Sequence, residues 1–185
     1  MKVVSKIIVA TVYLLGVAYL FLPTPQVPDL PESTRSNEAG DTWQHPDQKA
    51  FYTHKSRAEV LNYMQSQFSV KFLGITIPSY RLNYRPEESF KFVRDQVPSY
   101  YLEEIVYPLK ASLFVNGWEP KKSPVYKNID PQYISDLLYE GQTYPSKVTL
   151  RPVYSSPWLG LLIWTLLFPS SWLVINSLKK TIKNV

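Results

Sequence analysis

Residues 157–178 read PWLGLLIWTLLFPSSWLVINSL, and the reading of this stretch decides the fold. It contains no Asp, Glu, Lys or Arg. As a helix, Trp158 to Leu178 extends about 32 Å, enough to cross the roughly 30 Å hydrocarbon core of a bilayer. A core helix of that length would leave a small domain no charged face to show to water. Ser155 or Ser156 suits the helix cap, Pro157 the first helical position, and Trp158 the interfacial level where amphipathic rings gather. Within Phe168-Pro169-Ser170-Ser171 the proline removes one backbone hydrogen bond. The expectation is a spanning helix kinked at Pro169, with a re-entrant hairpin turning there as the alternative.

A second apolar run lies at the other end of the chain. Residues 7–22 read IIVATVYLLGVAYLFL, again without charge, and Pro23 follows. Sixteen residues make only about 24 Å of helix, so a span needs Val3 to Lys6 as well, with Lys6 snorkelling to the interface. The predicted helix is 3–22. The competing reading is a cleaved signal peptide ending at the small-x-small triplet Gly16-Val17-Ala18. The apolar run continues past that triplet, which favours an uncleaved anchor.

Charge fixes the orientation. The net charge is +5. Lys2 and Lys6 precede the first run, and Lys179, Lys180 and Lys183 follow the second. These five account for the whole excess: residues 23–156 carry fifteen basic and fifteen acidic side chains. A nucleic-acid partner is therefore not expected, because a phosphate-binding domain concentrates its cations on its own surface. By the positive-inside rule both termini are cytosolic and residues 23–156 are extracytoplasmic, in a multi-pass protein of the plasma membrane. The chain has no cysteine. That excludes disulfides, thiolate nucleophiles, cysteine-based metal sites and a lipid anchor on cysteine.

Between the two runs, Pro23, Pro25, Pro28 and Pro31 predict an extended linker over 23–41. A folded domain is predicted over 42–154. Ser56-Arg57-Ala58-Glu59 has the form of a capping box, and Val60, Leu61, Met64 and Phe68 recur at helical spacing behind it. Val70 to Phe72 and Ile75 to Tyr84 read as strands around Gly74. Pro86 starts a helix with the stripe Phe90, Val93 and Val97, and Tyr100 to Tyr107 reads as a strand. Pro108 starts a helix that stops at Asn116-Gly117, and Asp130-Pro131 opens another that stops at Gly141. Lys147 to Arg151 is the last strand. The predicted class is α+β: a small extracytoplasmic domain with an antiparallel or mixed sheet, flanked by two transmembrane helices. Residues 179–185 form a basic cytosolic tail.

Few residues suggest chemistry. His45 and His54, with Asp41 and Asp47, match no metal-ligand spacing. The pairs Glu87-Glu88 and Glu103-Glu104 are adjacent acids that face different ways. A catalytic use of Glu103 would need Arg94, Asp95 or His54 beside it. No Gly-x-Ser-x-Gly elbow and no phosphate loop occurs. No catalytic, cofactor or metal site is therefore assigned. Aromatics are more suggestive: residues 23–156 hold twelve tyrosines with Trp43 and Trp118, which are the candidate contact residues. The membrane-flanking set is Lys2, Lys6, Trp158, Lys179, Lys180 and Lys183. The expected role is an accessory or scaffold component of a membrane or cell-envelope complex, with the lipid bilayer and another membrane or envelope protein as partners. The alternatives are a surface module binding glycan or envelope polymer, and an envelope enzyme of unfamiliar type.

Overall fold

The computed structural model describes residues 2–93 and 99–183. Its centre is a six-stranded antiparallel sheet in the order β1-β2-β10-β7-β6-β5. The strands are β1 (Ser33–Arg35), β2 (Lys49–Thr53), β5 (Tyr80–Tyr84), β6 (Tyr101–Tyr107), β7 (Ala111–Trp118) and β10 (Ser146–Tyr154). Two small hairpins stand off this sheet: β3 (Lys71–Phe72) with β4 (Ile75–Thr76), and β8 (Leu137–Tyr139) with β9 (Gln142–Tyr144). The helices are α1 (Lys2–Leu20), α2 (Arg57–Gln67), the single turn α3 (Ser89–Phe92) and α4 (Pro157–Lys183). The domain is thus α+β, with every strand pair antiparallel.

Strand alternation sorts the core into two layers. One face of the sheet carries Phe51, Tyr101, Ile105, Tyr107, Leu113, Val115, Val148 and Leu150, and α2 covers it with Val60, Leu61, Met64 and Phe68. The capping box is formed as predicted: Ser56 accepts from the Glu59 N–H, and Glu59 accepts from the Ser56 N–H at 2.8 Å. The opposite face holds a smaller cluster of Leu102, Phe114 and Val93, with Phe92 and Tyr84 against it.

Several predicted elements take other forms. Ala111–Trp118 is a central strand, not a helix. Residues 111–117 are buried on both faces, so no alternation shows in the sequence. Gly117 is not a helix stop. A Cβ there would lie 2.0 Å from the Tyr101 ring, which crosses the strand at that point. Asp130-Pro131 does cap a helical turn, with Asp130 accepting from the Gln132 N–H, but it ends at Tyr133. Glu140 and Gly141, both at positive φ, then close the β8–β9 hairpin. Pro86 starts one 3-10 turn before α3, and Val97 lies outside the described residues.

The proline-rich stretch is not a free spacer. Pro25 is buried, Leu30 joins the core, and Ser33–Arg35 pairs with β2. Lys49 Nζ holds it by donating to the Val27 carbonyl at 3.0 Å and to Asp29 at 2.8 Å. Proline-rich chain cannot build a core, but two apolar anchors suffice to strap it onto one.

α1 and α4 pack side by side. Leu20 lies against Gly160, Gly16 under the Trp164 indole, and the Tyr13 hydroxyl 3.1 Å from Thr165 Oγ1. Farther along, Lys6, Val9 and Ala10 border the same surface groove as Phe168 and Trp172. Contacts that descend one helix while ascending the other make the pair antiparallel. α4 runs through Pro169 without a break, so the re-entrant hairpin is not adopted, and Ser170 Oγ donates to the Leu166 carbonyl at 2.8 Å. Among the described residues one helix has a stretch long and apolar enough to cross a membrane, Pro157–Ile175 in α4. The apolar part of α1 is the shorter Lys6–Leu20, so the expected pair of transmembrane helices is not supported: one candidate stands.

Candidate functional site

Two buried lysines mark the two ends of the sheet. The first is Lys110, in the β6–β7 connection, where Leu109 adopts a positive φ. Its Nζ donates to the Leu20 carbonyl at 3.1 Å and to the Leu22 carbonyl. These groups belong to the C-terminal end of α1, where helical carbonyls have no partner of their own and the helix dipole attracts a cation. Tyr19 adds a hydrogen bond from its hydroxyl to the Pro108 carbonyl at 3.0 Å. On the other side, Ser155 N–H donates to the Lys110 carbonyl at 2.9 Å, and Gly160 gives room for the Leu109 carbonyl. One turn of the sheet is thus wedged between the end of α1 and the start of α4. Burial pulls the Lys110 pKa below 10.5.

The second lysine is Lys147 on β10, whose register partners are Tyr52 on β2 and Trp118 on β7. Its Nζ lies 2.6 Å from Asp41, 2.5 Å from Glu38 and 5.2 Å from the centre of the Tyr52 ring. Asp41 is buried and also accepts from Ser36 Oγ at 2.5 Å. Burial alone would lower the Lys147 pKa, but the hydrogen bonds to Asp41 and Glu38 carry it above 10.5. Glu38 is opposed by burial in the same way, and Lys147 holds it below 4.5. Tyr52 is pushed up to about 12 by burial, with Glu38 adding to the shift. A tyrosine layer closes the cluster. Tyr52 stacks on Tyr139 at 4.2 Å, and the Tyr144 hydroxyl meets Thr34 Oγ1 at 2.6 Å. The amine is charged and paired, which makes it a strut for the loop of residues 36–41 rather than a nucleophile.

Of the residues singled out in the sequence, Asp41 and Trp118 adjoin Lys147, and His54 adjoins the tyrosine layer over it. Trp43 is 75% exposed, two residues beyond Asp41. Trp118 is half-buried beside Lys147, and its indole N–H is buried without an acceptor among the described residues. Next to it Glu119 is buried, with Oε2 bound by Lys122 at 2.7 Å. His54 is exposed with its ring 5.3 Å from Tyr144. Asp41 is engaged with Lys147 instead of a histidine, and no group of three His, Asp or Glu among the described residues could hold a metal. Glu103 is clamped by two arginines, Arg57 and Arg81, the latter at 3.2 Å. Arg94 and Asp95 lie outside the described residues. Glu104 faces the other side of the sheet and accepts from the Tyr84 hydroxyl at 2.5 Å.

Of the membrane-flanking set, Trp158 is exposed and meets Phe21 edge-on at 5.4 Å, and Lys6 is exposed. The side chains of Lys2, Lys179, Lys180 and Lys183 lie outside what is described. Lys110, Lys147, Gly16 and Gly160 were not legible as special, because each acts through a contact distant in sequence. Comparison of the chain with protein-family models, curated proteins and solved structures finds no match.

Proposed function

We propose that this is a two-span membrane protein whose helix pair holds the α+β domain against the outer face of the plasma membrane. There it serves as an accessory or scaffold component of a membrane or envelope complex. The observation that carries this reading is the junction at Lys110, where the domain grips the end of α1 and the start of α4 at once. A tethered module that searches for ligand gains from a loose linker. A scaffold gains from a fixed orientation, and the strapped proline stretch and buried lysine supply one. In this reading α1 spans with Lys6 snorkelling, and its 19 residues give about 28 Å, close to the hydrocarbon thickness.

The acids that would serve catalysis are already engaged: Glu103 by two arginines, Asp41 and Glu38 by Lys147. That favours the scaffold over the enzyme. The glycan-binding alternative would use exposed rings such as Trp43 and Tyr133. Crosslinking in native membranes, followed by purification in mild detergent, tests the proposal. A stoichiometric partner is expected, and recovery solely as an isolated monomer at native expression would overturn it.

A further inference from the structure

The β3–β4 hairpin places Leu73 at its turn with φ +48, next to Gly74 at φ +82. That is a turn in which asparagine, aspartate or glycine is the ordinary first residue, because a side chain there is strained. Leucine is the wrong choice for the backbone, and it has no packing reason either: Leu73 is 87% exposed and Ile75 72%. Phe72 completes an apolar tip. The root of the hairpin, by contrast, is fixed. Phe68 and Val70 are buried, Ile77 N–H donates to the Val70 carbonyl at 2.9 Å, and the Tyr107 hydroxyl donates to the Ile77 carbonyl.

The direction of the tip says what covers it. Phe72 and Ile77 line one groove together with Leu15, Ala18, Tyr19 and Leu22 of α1 and its exit. Leu15 lies five residues before Leu20, so the groove extends about 7 Å down the helix from its outer end. If α1 crosses the bilayer, a finger that borders Leu15 stands inside the boundary between headgroups and acyl chains. Trp158, at the start of α4 and against Phe21, marks the same level on the other helix.

We infer that residues 72–75 form a third membrane contact, an apolar finger seated in the outer leaflet beside α1. This rests on the two-span reading. The finger and the helix pair would set the tilt of the domain in three places instead of two. Aliphatic tips of this kind gain by burial in the acyl boundary what their backbone strain costs.

The absence of cysteine allows a direct test. The full chain with Leu73→Cys, and separately Ile75→Cys, is labelled with an environment-sensitive fluorophore and reconstituted in phosphatidylcholine vesicles containing lipids spin-labelled near the headgroup. Ile163→Cys in α4 reports on the span, and Trp43→Cys on the domain surface. The expected result is blue-shifted emission at 73 and 75, quenched at least twofold by the spin-labelled lipid, with no quenching at 43. Quenching at 163 but not at 73 or 75 would overturn the finger and leave the two-span reading intact. A blue shift at 73 without lipid quenching would also overturn it, assigning the tip to protein. No quenching at 163 would remove the membrane reading and the finger with it.

Discussion

Lys110 and Lys147 are both almost fully buried, at 4% and 6% exposure, and stand at opposite ends of the sheet, yet they are held in opposite ways. Among the described residues Lys110 meets carbonyl oxygens and one ring, and its proton is bound less tightly than in water. Lys147 meets two carboxylates and a tyrosine, and its proton is bound more tightly. The first joins the domain to a helix end, the second joins a loop to the domain that carries it. A buried cation on carbonyls is a modest fastener, whereas a buried ion pair is costly to break from either side.

The largest effect is therefore expected at Lys147. Lys147→Met leaves the buried carboxylate of Asp41 without its cation, which costs about 3–5 kcal/mol. Urea unfolding of the detergent-solubilised chain, followed by circular dichroism, measures it. Adding Asp41→Asn should recover part of the loss, and full additivity of the two changes would show that the pair is not coupled.

Gly117→Ala comes next. The new methyl group meets the Tyr101 ring inside the sheet, a clash worth about 1–3 kcal/mol. Gly16→Ala makes a similar clash with Trp164, but between the helices. It should leave the urea midpoint of the domain in place while lowering proximity between α1 and α4 in a thiol crosslinking assay. Equal effects of both changes on the domain would erase the distinction between its core and the helix pair.

The smallest effect is expected at Lys110. Lys110→Met removes the hydrogen bonds to Leu20 and Leu22, at a cost of about 1–2 kcal/mol, and should expose residues 22–32 to protease. The pH dependence separates the two lysines. Lys110 binds its proton less tightly when folded, so its penalty is relieved as pH rises through the folded pKa toward 10.5. Lys147 binds its proton more tightly, so its contribution is full below 10.5 and is lost as pH rises through the higher folded pKa. Glu38 mirrors this at the acid end: its contribution is full above 4.5 and lost as pH falls through the lower folded pKa. Stability curves should lose the upward slope below pH 10.5 in Lys110→Met and the downward slope above it in Lys147→Met.

The same contrast explains what could be read from the sequence. α2 was legible because its signals are local: the Ser56–Glu59 box and a stripe of three buried residues within two turns. The strands at Tyr101–Tyr107 and from Lys147 onward were legible through their β-branched and aromatic content. Ala111–Trp118 was not, because a strand buried on both faces loses its period, and Asn116-Gly117 imitates a helix end. Asp130-Pro131 announced a true cap but gave no length, which the turn at Glu140-Gly141 cut short. Lys49–Thr53 is not evident from the five residues themselves, although the His45–Gln48 turn, with Pro46-Asp47 at its centre, marks where the strand starts. The two lysine sites were beyond reach. Nothing near Lys110 in sequence indicates that Leu20 will lie above it, and nothing near Lys147 indicates Asp41.

The helix hairpin is tested most directly by accessibility. Single cysteines at Trp43, Val4 and Thr181, introduced one at a time, are exposed to a membrane-impermeant maleimide on intact cells and again after permeabilisation. Labelling of position 43 on intact cells, with positions 4 and 181 labelled only after permeabilisation, is the predicted result. Labelling of one of positions 4 and 181 on intact cells would place the two ends of the chain on opposite sides, and labelling of both would place them outside; either result contradicts the arrangement with both ends cytosolic.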